Sequence, residues 1–93
     1  MIAKKAVVCN ETGIHARPAS DFVRAAKGFG ADVTIKSLAG GDAEANAKSI
    51  IEVLTLGISK GCEVEVSASG EDEQSAVDTL ISMIESGFGE TAG

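Results

Sequence analysis

The sequence predicts an α+β fold in which three helices lie on one face of a small, mainly antiparallel sheet, in the element order βαββαβα. Three observations carry this. Cys62-Glu63-Val64-Glu65-Val66-Ser67-Ala68 alternates apolar and polar residues without a break, as a strand with one face on a core and one in water must. Apolar residues recur at helical spacing at Ala19, Phe22, Val23 and Ala26, at Ile50, Val53 and Leu54, and at Val77, Leu80, Ile81, Ile84 and Phe88. Gly28, Gly57 and Gly87 each follow such a stripe, where a left-handed C-cap suits glycine. Each stripe needs a sheet to cover, and helices gathered on one side leave the other side of an antiparallel sheet to water.

Taken in chain order, residues 2 to 9 are apolar enough for a first strand, without revealing which set faces inward. The first helix is expected to start near Ala16, because Pro18 is tolerated in a first turn, where its missing N–H would have no partner. Val33 and Ile35 alternate with Asp32, Thr34 and Lys36 as a second strand, and a short strand is expected after the Gly40-Gly41 turn. Ser49-Ile50-Ile51-Glu52 fits a capping box, so Ser49 is the expected N-cap of the second helix. The alternating strand and the last helix complete the order, and the tail from Gly87 to Gly93, with three glycines, is expected to fray.

A chain of 93 residues with 44% apolar content supports one core, so residues 1–93 are read as a single domain. A domain this small favours a surface site used against larger partners over a deep pocket. Fourteen acidic against eight basic residues, and no Trp or Tyr, argue against nucleic acid as a partner. No apolar run has the length of a signal peptide or a membrane span, so a cytoplasmic protein without membrane insertion is expected. Cys9 and Cys62 lack metal-ligand spacing and are read as small apolar fillers; no metal and no cofactor are expected. Gly28-Phe29-Gly30 lacks the third glycine and preceding strand of a dinucleotide fingerprint and reads as a helix stop.

The chain has one histidine, in Thr12-Gly13-Ile14-His15-Ala16-Arg17-Pro18-Ala19-Ser20, between a turn glycine and a helix start. A lone histidine is more often structural than functional; its position changes that weighting. The unpaired N–H groups of a first turn and the positive end of the helix dipole form a ready site for a phosphate on the imidazole, with the backbone of Ala16 and Arg17 as donors. The Arg17 guanidinium can add charge-assisted, bidentate hydrogen bonds. At about 100° per residue, Arg24 returns to the face of Arg17 and Lys27 lies near it one turn on, a basic stripe that would steer an acidic partner.

Gly13-Ile14-His15-Ala16-Arg17-Pro18-Ala19, Ala31-Asp32-Val33, Lys48-Ser49-Ile50, Thr55-Leu56-Gly57-Ile58 and Lys60-Gly61 together resemble the histidine-containing phosphocarrier family HPr of the bacterial phosphoenolpyruvate-dependent sugar phosphotransferase system. The resemblance spans nearly the whole chain. It implies an open-faced β-sandwich of four antiparallel strands under three helices, in a monomer. It implies that His15 accepts a phosphoryl group on Nδ1 from phosphorylated enzyme I and passes it to the A components of sugar permeases, with Arg17 stabilising the phosphate. Such a protein is a stoichiometric carrier and not an enzyme with turnover. The resemblance also makes Ser49 the regulatory serine of HPr kinase/phosphorylase, with a transcriptional regulator as a further partner. Arg24, Lys27, Lys48, Ile51 and Leu54 are candidate partner contacts, and the resemblance implies an exposed apolar contact on the second helix, for which Ile51 is the candidate. Ile50 and Leu54 also fall on the packing stripe, while Ile51 is divided equally between core and contact. The segment from Ser37 to Ala47 is longer than usual for the family, and Glu52 is acidic where some relatives carry a base or glycine. Alternatives are a nitrogen-related or regulatory carrier that signals without sugar transport, a binding module without covalent chemistry, and a metal protein using Cys9, His15 and Cys62.

Overall fold

The computed structural model describes residues 1–39 and 41–89. It contains β1 (Ile2–Val7), α1 (Ala16–Lys27), β2 (Asp32–Ser37), β3 (Glu44–Asn46), α2 (Ile50–Thr55), β4 (Glu63–Ser69), α3 (Glu73–Glu85) and a closing 3-10 turn at Gly87–Gly89. The order matches the sequence expectation. The four strands form one sheet in the order β1-β4-β2-β3, and every neighbouring pair is antiparallel.

Alternation decides which side of the sheet is covered. Val64, Val66 and Ala68 of β4 and Val33 and Ile35 of β2 are buried beneath the helices, while Glu63, Asp32 and Lys5 stay outside. The inward set of β1, ambiguous in the sequence, is Ile2, Lys4 and Ala6, with Val8 continuing it. Lys4 can occupy this side because its ammonium meets Asp78 of α3 at 2.6 Å at the core's margin. From the helices, Phe22, Val23 and Ala26 of α1 and Val77, Leu80, Ile81 and Ile84 of α3 close the core.

Several local expectations are corrected. Gly28 caps α1 in right-handed backbone (φ −74°), whereas Gly57 and Gly87 are left-handed as expected (φ +61° and +69°). Ile50 and Leu54 were expected to pack; they are 37% and 42% exposed, and only Val53 of α2 is fully buried. A helix of six residues presents one inward position per turn, and here Val53 takes it. The capping box is half formed: Ser49 Oγ accepts from the Glu52 N–H at 3.3 Å, but Glu52 Oε1 accepts from the Asn46 N–H rather than from Ser49. Cys9 is no core filler; it lies exposed beyond β1, with its thiol 3.6–3.7 Å from the Ile84 and Glu85 carbonyl oxygens at the end of α3. Phe88, read as the end of the α3 stripe, instead lies beyond α3 in the closing turn of residues 87–89, edge-on against Phe22 with ring centroids 6.5 Å apart. Residues 90–93 of the tail expected to fray, and Gly40 of the expected turn before β3, lie outside the described residues.

Candidate phosphoryl site at the start of α1

The approach to α1 is built by Asn10. Its backbone carbonyl accepts from the Gly13 N–H (3.1 Å), and its buried side chain donates through Nδ2 to the Gly13 carbonyl (2.8 Å) and Thr12 Oγ1 (3.1 Å). Gly13 itself is obligatory: at φ +67°, a Cβ there would stand 2.5 Å from the Ile58 carbonyl oxygen and 2.7 Å from the Ser59 Cα. Ile14, wholly buried, donates its N–H to the same Ile58 carbonyl at 3.0 Å. Chain 13–14 is thus clamped to segment 58–59, and the half-buried His15 emerges from the clamp. Across the loop, the 2.6 Å hydrogen bond from Lys60 to Glu11 lowers the Glu11 carboxyl and raises the Lys60 ammonium.

His15 is the N-cap of α1 in extended backbone (φ −135°, ψ 165°), and its side chain makes no capping hydrogen bond. The imidazole therefore does not consume the first-turn donors. Pro18 has no N–H, and the Ala19 N–H already reaches the His15 carbonyl at 3.4 Å. The amides of Ala16 and Arg17 are then the first-turn donors without an intrahelical acceptor, at the positive end of a helix whose first turn holds no acid. Ala16 is left-handed (φ +51°). That conformation costs an alanine roughly 1–2 kcal/mol, a strain set next to the histidine.

Arg17 is exposed and, among the described residues, forms neither an ion pair nor a hydrogen bond. Its guanidinium is available to an anion. Arg24 and Lys27 lie exposed farther along α1 and share a shallow groove with Ser20, Val23 and Ile50 of α2. Ile51, 74% exposed, and Leu54 are the further exposed apolar side chains of α2. Lys48 stands apart from the other basic residues, since its half-buried side chain donates to the Phe29 carbonyl at 2.8 Å and ties the end of α1 to the start of α2. Ser49 is the N-cap of α2.

The structure places His15 and the Ala16 and Arg17 amides at the start of α1, with the exposed Arg17 side chain in that first turn, and sets Arg24, Lys27 and Ile50 along a groove farther down the helix. Sequence reasoning missed Asn10 and the Ala16 conformation. An Asn two residues before a Thr and three before a Gly is a turn signal that could have pointed to the first; alanine gives no sign of the second.

The family model described as "PTS HPr component phosphorylation site" matches residues 2–86. The chain is 39% identical over 84 residues to phosphocarrier protein HPr of Haemophilus influenzae, an alignment covering 90% of this chain and 95% of that one. It is 40% identical over 91 residues to phosphocarrier protein NPr of Escherichia coli K12, covering 97% and 99% of the two chains. Among solved structures, HPr-C-His from Thermoanaerobacter tengcongensis superposes with a TM-score of 0.91 at 40% identity, over 98% of this chain and 99% of that one. A domain whose single histidine caps the first helix, and which matches the family model over residues 2–86, belongs to the HPr family of phosphotransferase-system phosphocarriers.

Proposed function

We propose that His15 is the phosphoryl acceptor, loaded by phosphorylated enzyme I and unloaded onto the A component of a sugar permease. The observation that carries this is the vacancy of the α1 N-terminus: His15 occupies the cap position without using the Ala16 and Arg17 amides, and Arg17 has no competing partner among the described residues. The lone pair of His15 Nδ1 forms the new bond to phosphorus while the donor's bond breaks, its electron pair leaving with the donor. The phosphoryl oxygens then meet the two amides and the Arg17 fork, so the charge is held by groups already in place. Transfer onward reverses the step toward the acceptor, which leaves His15 regenerated and makes the protein a carrier rather than a catalyst with turnover.

Arg24, Lys27, Ile51 and Leu54, all exposed, form the docking surface, whose basic and apolar side chains suit a partner that offers acidic and apolar contacts. Ser49 is the regulatory phosphoserine: a phosphate at the N-cap of α2 sits at the favourable end of that helix, yet adds negative charge beside the docking surface. The likeness to NPr favours a second reading, in which the acceptor belongs to a nitrogen-related or regulatory branch.

The test is a chase. Protein loaded from labelled phosphoenolpyruvate through enzyme I and magnesium is mixed with the A component of a sugar permease or of a nitrogen-related branch. Label passing to the sugar component supports the first reading; passage only to the nitrogen-related component supports the second. Incubation with HPr kinase and ATP should add an acid-stable phosphate to the wild type and none to Ser49→Ala.

A further inference from the structure

The closing turn at Gly87–Gly89 does more than end α3. Arg17, Pro18 and Asp21 of α1 form one wall of an open cleft of about 330 Å³, and Phe88 and Gly89 form the other. Gly87 is buried, with Asn10 Cβ and Cys9 Sγ each 3.6 Å from the position a Cβ would take, so the turn rests on the same segment that carries the His15 loop. Phe88 is held at φ +56°, a left-handed backbone that a bulky residue adopts only when its surroundings impose it. What offsets the strain is the half-buried ring, edge-on to Phe22 with an interplanar angle of 69°. Among the described residues no ion pair holds the Arg17 side chain: Asp21 lines the same cleft, but its carboxylate lies 4.0 Å from Arg24.

We infer that Phe88 is a positioning residue for phosphoryl transfer at His15, acting by confining the Arg17 side chain. This rests on the phosphocarrier reading. An arginine on a helix surface has many rotamers, and gripping a phosphoryl group selects few of them. A fixed aromatic wall on the far side of the cleft removes part of that freedom before the donor arrives, so less is lost in the transfer step. Phe88 acts through Arg17, and the bonds made and broken at Nδ1 are unchanged.

The experiment is rapid-quench phosphoryl transfer from enzyme I loaded with phosphoenolpyruvate, at varied carrier concentration. It compares wild type, Phe88→Gly, Phe88→Leu, Arg17→Ala and the double variant Phe88→Gly/Arg17→Ala. Glycine accepts φ +56° without strain, so Phe88→Gly removes the wall while keeping the backbone; circular dichroism and thermal unfolding establish that each variant is folded. Phe88→Gly should lower the maximal rate roughly two- to tenfold, the freedom of one side chain, with KM for the carrier unchanged. Phe88→Leu should restore the rate, and in the Arg17→Ala background the loss should vanish. A folded Phe88→Gly that transfers at the wild-type rate overturns the inference, as does a loss of equal size with and without Arg17. A wild type that takes no phosphoryl group from active enzyme I contradicts the phosphocarrier reading itself.

Discussion

At the scale of single residues the site is a contest between local strain and local bonding. His15 and Arg17 were readable because a histidine between a turn glycine and a helix-opening proline has few uses, and an arginine two residues on adds a phosphate-binding fork. The left-handed Ala16 was not readable, since its conformation follows from the clamp of Gly13 and Ile14 on Ile58, contacts that span more than forty residues of sequence. Phe88 was misassigned to the α3 stripe for the same reason: its place depends on Phe22 and on the Cys9–Asn10 segment. Gly13→Ala should lower unfolding free energy by about 1–3 kcal/mol, the range for a strained backbone that the surroundings must absorb. A urea midpoint shifted downward at unchanged m-value would bear this out. Arg17→Lys keeps the charge but loses the fork. Transfer from enzyme I should slow by about tenfold or more, since one charge-assisted hydrogen bond contributes roughly 1.5–3 kcal/mol.

At the scale of elements, periodicity located the strands and the two long helices well. It misled at α2, where Ile50 and Leu54 fall on the packing stripe yet are exposed, as is Ile51, which the spacing had left open. Three hydrophobic positions at helical spacing look the same in sequence whether they meet a core or a partner. The proposed docking role separates the two in experiment. Ile51→Ser should change unfolding free energy by less than about 0.5 kcal/mol, as exposed substitutions do, while raising the KM for the carrier in transfer assays. Ser49→Ala, by contrast, removes the hydrogen bond to the Glu52 N–H and should cost about 1 kcal/mol in thermal or urea unfolding.

At the scale of the whole molecule, the element order and the open-faced layering were legible, whereas the strand order β1-β4-β2-β3 was not, because spacing says nothing about which strands neighbour. Long-range closure is carried partly by Asp72 at the start of α3, whose carboxylate accepts from the Gly30 and Ala31 N–H groups at 2.8 Å each. The Gly30 hydrogen bond is the leading cause that lowers the Asp72 carboxyl below its usual 3.8. A carboxyl depressed on folding contributes stability that is present above the unfolded value and is lost as pH falls through the folded one. Stability of the wild type should therefore drop as pH falls below about 3.8, and Asp72→Asn should flatten that part of the curve in unfolding measured from pH 5 downward.

The carrier role itself is tested most directly by intact mass. The protein is incubated with enzyme I, magnesium and phosphoenolpyruvate beside His15→Ala. The account predicts one added phosphoryl group on the wild type, lost on acid treatment, and none on the variant. An unmodified wild type with demonstrably active enzyme I, or an equal addition to His15→Ala, would contradict it.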